Sequence, residues 1–372
     1  MLTSVSLWAP QGARFGSIMQ NSPRDSQKYA GLRATDQLSE ADLELINALQ
    51  IAPRVTWQDA GRILGVRPAT LAARWERIES QGLAWITCYG VGDPTEMTLA
   101  FVDVDCAPGS TPAVAEALNA IPEVQTVELP AGHHDCVLTV FTATLADYAQ
   151  RVAPAILAIP GVERVQTSLG SRLHQAGHSW RIAALGPKKS AAFAELAARG
   201  AAEGPLSPAA RDLLPLLARD GRATAAQMAK ALGRTPSTVQ RQLARVLGSG
   251  LIAFRCDVAQ NAVGFPVTCT WYARVPPGQH AAAAAAVRSL RSVRLAASIT
   301  GQANFLVTMW LRSVADVMTA ELALQEKVPG IELLESLVLL RVTKRMGVLL
   351  GADGRAEGRV AMPREAMPAG LD

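Results

Sequence analysis

The chain repeats itself at long range. Shifted by 168 positions, residues 38–83 fall without a gap on residues 206–251. Leu38, Ser39, Leu45, Leu49, Arg54, Thr56, Leu64, Gly65, Pro68, Thr70, Arg77, Gly82 and Leu83 meet Leu206, Ser207, Leu213, Leu217, Arg222, Thr224, Leu232, Gly233, Pro236, Thr238, Arg245, Gly250 and Leu251. The match runs on beyond this segment. Cys88 meets Cys256, and one residue further out of register Gly132 meets Gly301, Pro160-Gly161 meets Pro329-Gly330, and Arg172 meets Arg341. A repeat must be settled before any element is assigned, because overlooking it misassigns the fold. This period is far too long for a solenoid. It predicts two copies of a two-domain unit, a protein built like a covalent dimer.

The bulk properties narrow the class. With 49% hydrophobic and 18% charged residues, the chain has enough apolar mass for packed cores and does not resemble a disordered protein. A net charge of +4 permits nucleic-acid binding without arguing for it, so charge distribution matters more. The five cysteines, Cys88, Cys106, Cys136, Cys256 and Cys269, are widely spaced and contain no C-x-x-C. That pattern suggests a reduced cytoplasmic chain with neither a disulfide framework nor a zinc finger. No apolar run is long enough to span a bilayer, so no membrane partner is expected. No Ser-His-Asp set, P-loop or Rossmann fingerprint is in place. The expectation is therefore a protein that is not an enzyme, with no catalytic residues, no cofactor and no metal.

Each copy opens with three short helices. Ser39 and Asp42 form a capping box for the first, and Ser207 takes the same role in the second copy, followed by Pro208. The second helix of each copy stops at a glycine, Gly65 or Gly233. The third starts at Pro68 or Pro236 and carries one apolar stripe, Leu71, Trp75, Ile78 or Val239, Leu243, Val246. A strand follows, completing a winged helix-turn-helix pattern. The remainder of each copy alternates as βαββαβ, the ferredoxin-like order. The predicted fold class is therefore α+β, two copies of a winged helix-turn-helix plus a ferredoxin-like βαββαβ regulatory domain. Boundaries are read as a flexible tail over 1–37, a first helix-turn-helix over 38–90 and a first regulatory domain over 91–173. A linker over 174–205 leads to a second helix-turn-helix over 206–258, a second regulatory domain over 259–347 and a flexible tail over 348–372.

These passages resemble the Lrp/AsnC (leucine-responsive/AsnC) family of prokaryotic transcription regulators. The resemblance rests on Leu206-Ser207, on Asp220-Gly221-Arg222, on Leu232-Gly233-Arg234-Thr235-Pro236-Ser237-Thr238-Val239 and on Arg245-Val246-Leu247-Gly248-Ser249-Gly250-Leu251-Ile252. In the regulatory domain it rests on Thr300-Gly301-Gln302-Ala303-Asn304 and Leu340-Arg341-Val342-Thr343-Lys344-Arg345. It covers roughly 38–173 and 206–347. It implies a cytoplasmic, nucleoid-associated regulator of bacterial type, which binds operator half-sites in double-stranded DNA and self-associates or assembles with related regulators.

With the apolar stripe buried, the outward positions of the second recognition helix are Ser237, Thr238, Arg241 and Arg245. Arg222 and Arg234 are added as candidate DNA contacts, and the first copy supplies Thr70, Arg74 and Arg77. Residues 206–251 carry seven cations against two carboxylates, whereas 38–83 carry five against six. Phosphate neutralisation dominates non-specific affinity, so the second head is expected to hold most of it. Arg67 also stands where the second copy has the N-cap Thr235.

Family regulatory domains bind small effectors, often amino acids, near the β2–β3 turn between paired domains. Here that turn is Gly132-His133-His134-Asp135 or Gly301-Gln302-Ala303-Asn304, so Gly132, His133, His134, Asp135, Gly301, Gln302 and Asn304 are the candidate effector residues. Asp135 is assigned to an ammonium group. The run His133 to Cys136 is not assigned a metal, because neighbours on a strand point to opposite faces. Two other readings share the architecture. One is a sirohaem-decarboxylase-like tetrapyrrole enzyme using His133, His134 and the arginines near 172 or 341–345. The other is a hetero-oligomer partner that does not bind DNA.

Overall fold

The computed structural model describes residues 38–90, 97–197, 207–250 and 252–360. Leu206 and Leu251 of the repeat, the tail over 1–37 and residues 361–372 lie outside the described residues. In chain order the first half contains α1 (Glu40–Ile51), α2 (Trp57–Leu64), α3 (Pro68–Ser80), β1 (Ala84–Gly90), β2 (Thr98–Cys106), α4 (Thr111–Ala120), β3 (Val124–Ala131) and β4 (Cys136–Thr142). A helical run follows as α5 (Leu145–Asp147), a π turn (Tyr148–Val152) and α6 (Ala153–Leu157), then β5 (Val162–Gln175) and α7 (Pro187–Ala197). The second half contains α8 (Pro208–Arg211), α9 (Leu214–Arg219), α10 (Ala225–Leu232), α11 (Pro236–Gly248), β6 (Ile252–Val258) and β7 (Val267–Arg274). It closes with α12 (His280–Arg288), β8 (Val293–Ile299), β9 (Phe305–Leu311), α13 (Asp316–Lys327), β10 (Glu332–Arg345), β11 (Val348–Leu350) and β12 (Ala356–Arg359).

The helix ends follow local chemistry. Ser39 and Asp42 make the reciprocal capping box of α1, and Thr224 with Gln227 makes another on α10. Gly65 and Gly233 end α2 and α10 in the left-handed region, at φ 75° and 64°. Thr235 caps α11, while Arg67 makes no side-chain cap at α3. One expectation is corrected. The first helix of the second head is broken into α8 and α9, because Pro215 has no amide to continue the ladder.

Two sheets organise the rest. A two-stranded ribbon pairs β1 with β6 in antiparallel register, Thr87 opposite Arg255. A ten-stranded sheet runs β12-β11-β10-β3-β4-β2-β5-β8-β9-β7, and a further pairing of β7 with β10 closes eight of its strands into a barrel-like ring. Both joints between the halves are made by the long strands. Gly170 of β5 lies opposite Ile299, and Leu339 of β10 lies opposite Pro130. Helices cover this ring with separate apolar clusters, Val114, Leu118, Val152 and Ile156 in the first half and Ala283, Val287, Ala320 and Leu324 in the second. No helix among the described residues is long and apolar enough to cross a membrane.

Two segments expected to be loose are packed. Within the predicted linker 174–205, β5 extends to Gln175, and the following strap lays buried Trp180, Leu185 and Phe193 into the core of the first head. Asn47 and Gln50 of α1 accept the strap's Leu185 and Ile182 amides at 2.9 Å each, and Lys189 pairs with Glu44. His174 bonds Ser298 at 2.7 Å and leans on Phe305. The predicted tail over 348–372 begins as the β11–β12 hairpin, where Val348 and Leu350 bury against Trp85. Arg359 reaches the carbonyls of Ile86 and Ala218, one in each head.

Candidate nucleic-acid interface and effector turns

In the second head, α11 buries Val239, Leu243 and Val246 against Leu213, Leu217, Met228 and Ala229. Its helical period then turns Ser237, Arg241 and Arg245 outward, and all three are exposed. Among the described residues neither Arg241 nor Arg245 has a carboxylate partner. Thr238 is half-buried, its hydroxyl held 2.9 Å from that of Thr235. The helix thus presents two unneutralised guanidiniums and a serine on one convex face.

The first head differs. Thr70 is exposed on α3, but Arg77 and Arg74 both turn to Asp42, at 2.7 and 3.4 Å. Asp42 is buried beneath them. Burial alone would raise its carboxyl, but hydrogen bonds from Ser39 and Arg77 hold it below the usual carboxylate range. Its charge is therefore present at neutral pH and offsets the cations above it. The second head has Ala210 at the matching position.

Two of the expected DNA contacts face inward. Arg234 donates to the carbonyl of Ala209 at 2.7 Å and pairs with Asp212, fastening the start of the head to its turn. Arg222 donates to the carbonyls of Pro53 and Val55, at 2.6 and 2.9 Å, with its guanidinium 4.0 Å from the Trp57 ring. A sequence shows their charge but not the carbonyls brought within reach of it. The matching residue of the first head, Arg54, carried no assignment, and it makes the reciprocal bonds to Gly221 and Ala223.

The two glycine turns lie where each half meets the other. A side-chain carbon on Gly132 would stand 3.2 Å from Leu337, and one on Gly301 3.4 Å from Ser168. Thr300 donates its amide to Leu169 of β5. The polar residues of the turns are mostly engaged locally. Asp135 accepts from the Cys106 amide at 2.8 Å and the Thr111 hydroxyl at 3.1 Å, so its carboxylate serves the β2–α4 junction rather than awaiting an ammonium group. His134 is 3.0 Å from Asp105, which also holds Arg164. Asn304 clamps both the amide and the carbonyl of Val275, and the Gln302 carbonyl accepts from Arg274. His133 and the Gln302 side chain are left exposed.

Other residues weighed for chemistry are spread out. Lys344 is fully buried and donates to the carbonyls of Asn119 and Ile121, while Arg172 and Arg341 are exposed. Among the described residues no group of three His, Cys, Asp or Glu side chains is placed to hold a metal ion. A feature missed in the sequence is the buried cluster of Arg294 with the edge-on pair Trp310 and Trp180, at 3.8 and 4.8 Å, bonded to Asp257. Its three partners come from separate parts of the chain, so no local motif signals it.

Comparison with known proteins finds matches to two parts of the chain. The Lrp/AsnC ligand binding domain matches residues 99–172, and a winged helix-turn-helix DNA-binding domain matches residues 206–253. An HTH-type transcriptional regulator of Pyrococcus horikoshii is 25% identical over 148 residues, spanning 38% of this chain and 92% of that protein. The leucine-responsive regulatory protein of Haemophilus influenzae is 26% identical over 137 residues, spanning 35% of this chain and 81% of its own. The fold of nearly the whole chain is matched by the siroheme decarboxylase NirDL, at TM-scores of 0.53 and 0.54, covering 83% of this chain and 93% of that one at 11% and 13% identity. That match corrects the expectation of a protein that is not an enzyme, since this architecture is also that of an enzyme. Over residues 99–172 the chain is thus similar to the regulatory domain of the Lrp/AsnC family, and over 206–253 to winged helix-turn-helix DNA-binding domains.

Proposed function

We propose that the chain is a sequence-specific DNA-binding transcription regulator in which two unequal heads read an imperfectly symmetric operator. Each half is a winged helix-turn-helix followed by a ferredoxin-like βαββαβ module, and the chain is a fused pair of such units. Support for the duplication comes from the strand orders β5-β2-β4-β3 and β10-β7-β9-β8, which are the same in the two halves, and from joints that repeat at the sequence offset. The observation that carries DNA binding is the exposed, unneutralised pair Arg241 and Arg245 beside Ser237 on α11. Half-site symmetry mirrors protein symmetry, so heads that differ in exposed charge favour an asymmetric operator. Regulation is assigned to a small effector between the two modules at the Gly132 and Gly301 turns. With Asp135 and Asn304 engaged, its contacts fall to the turn backbones, His133 and Gln302. Such an effector shifts an existing equilibrium of head spacing or assembly with further copies or related regulators.

The test is fluorescence anisotropy on the DNA upstream of the protein's own gene, with competitor DNA and a salt series. Arg241→Ala/Arg245→Ala should weaken binding by roughly tenfold or more and reduce the salt slope by about two. Arg74→Ala/Arg77→Ala should cost less, because Asp42 already offsets one of that pair's two charges. Equal losses would refute the inequality of the heads, and an absence of competitor-resistant binding would refute the regulator reading.

A second reading is favoured by the fold shared with siroheme decarboxylase over most of the chain: tetrapyrrole chemistry at the same architecture. Titration with an iron porphyrinoid bearing carboxylate side chains tests it. A saturable shift of the tetrapyrrole absorption band, together with carbon dioxide release, would support this reading, and an unshifted band would remove it.

A further inference from the structure

The two heads are tied together by a reciprocal pair of arginines. Arg54 of the first head donates Nη1 to the Gly221 carbonyl and Nη2 to the Ala223 carbonyl at 3.0 Å. Arg222 of the second donates Nη1 to the Pro53 carbonyl at 2.6 Å and Nη2 to that of Val55 at 2.9 Å. Every partner in one set lies 168 positions from its counterpart in the other. The ribbon beneath has the same symmetry, since Thr87 and Arg255, themselves 168 apart, face each other at its centre. Each guanidinium also lies near an aromatic ring, Arg54 at 5.5 Å from Phe254 and Arg222 at 4.0 Å from Trp57. The arrangement is thus seen twice within one molecule.

The placement of the acceptors gives the contact its consequence. The four carbonyls sit just before Thr56 and Thr224, the N-caps of α2 and α10. The second helix of each head therefore starts from a loop held by the other head. Close approach is built in on the Gly221 side, where a side-chain carbon would collide with Ile86. The arrangement is electrostatically costly. Burial, and then the like charge of Arg54, pushes Arg222 down to about 10. The planar fork gives each of the two carbonyls its own nitrogen in a fixed geometry, whereas an ammonium on a flexible stem offers one point-like donor.

Building on the DNA-binding reading, we propose that Arg54 and Arg222 are positioning residues that fix the separation and phase of α3 and α11, and so set the half-site spacing the chain accepts. The recognised ligand is a duplex with two half-sites at one spacing. A chain with a released clasp would bind each half-site while losing its preference among spacings.

The experiment uses the full chain, with spin labels on Glu76→Cys and Ala244→Cys in a Cys106→Ser background. These two positions are exposed and lie 168 apart on α3 and α11. Distances are measured without DNA, and affinities are measured on operators whose half-site spacing is changed one base pair at a time. The unaltered clasp should give one narrow distance distribution and a loss of roughly tenfold or more off the preferred spacing. Arg54→Lys/Arg222→Lys should broaden the distribution and flatten the spacing dependence while single half-site affinity is kept. Each single variant, which retains half the clasp, should fall between and decides the matter if the double variant does not fold. An unchanged distribution in these variants would overturn the clasp whether or not DNA binds. A broadened distribution with spacing preference intact would overturn its role in recognition. If the clasped protein binds no operator, the DNA-binding reading falls and the spacing role with it, while the distances still report on the clasp.

Discussion

Asp42 governs how much of the first head's positive charge faces solvent. It accepts the Ser39 amide at 2.9 Å, helping to cap α1, and it anchors Arg74 and Arg77 of α3. Its lowered carboxyl keeps both tasks running at neutral pH. The stabilisation it gives is lost only as the pH falls through that lowered value. Asp42→Asn keeps an oxygen for the cap and removes the charge. The variant should be about 1 kcal/mol less stable. It should also bind non-specific DNA more tightly, with a salt slope steeper by about one. Urea unfolding and a salt titration check the two effects, and an unchanged slope would mean that Arg74 and Arg77 are not held back by this carboxylate. The same logic separates Arg234 and Arg222 from Arg241 and Arg245. All four are cations in the same head, but only the latter pair are free to meet a phosphate.

The strap that leads into α7 shows what an element gains from distant contacts. Phe193 is fully buried among residues of the first head, and Trp180 meets Trp310 edge-on at 4.9 Å. Phe193→Ala should destabilise the first head by about 3–5 kcal/mol, as an uncollapsed aromatic cavity does. Denaturant unfolding followed by tryptophan fluorescence would show the earlier transition, and a loss under about 1 kcal/mol would mean the strap is dispensable. This segment also marks where sequence reading stops. Helix ends, the Gly65 and Gly233 turns and the alternation of strands and helices along the chain are legible, because caps, left-handed glycines and apolar periods are local. In sequence the strap reads as a linker, because Gly177, Gly186-Pro187 and an alanine-rich stretch look the same whether or not a core waits for them. The β11–β12 hairpin reads as a tail for the same reason. At the candidate site, Ser237, Arg241 and Arg245 followed from the helical period. The inward turns of Arg222 and Arg234, and the engagement of Asp135 and Asn304, depend on atoms elsewhere in the fold. Arg222 reaches carbonyls 167 and 169 positions away, a separation that leaves no trace in any window.

At the scale of the whole molecule, the closed ring joins the two halves into one cooperative structure. Val137 packs with Tyr272, Ala297, Leu306 and Leu337 of the other half. Glu128 of β3 sits opposite Val137 on β4 and opposite Val342 on β10, where the halves are stitched. Burial pushes its carboxyl up to about 7, and Arg345 draws it only part of the way back. A folded value above the unfolded one means that the folded ring holds the extra proton. The stabilisation is therefore complete below the ordinary glutamate range and is lost as the pH rises through about 7. A shift of this size corresponds to roughly 3 kcal/mol between the two ends of that window. Asp103, also raised by burial, adds to the same trend, so the mutant difference is the informative quantity. Glu128→Gln cannot ionise, and relative to the unaltered chain it should gain stability from pH 5 up to about pH 7 and level off by pH 8. Urea midpoints at four pH values across that range provide the measurement. Curves for the two proteins that stay parallel would show that Glu128 is already ionised in the ring, and that the joint between the halves does not exclude water from it.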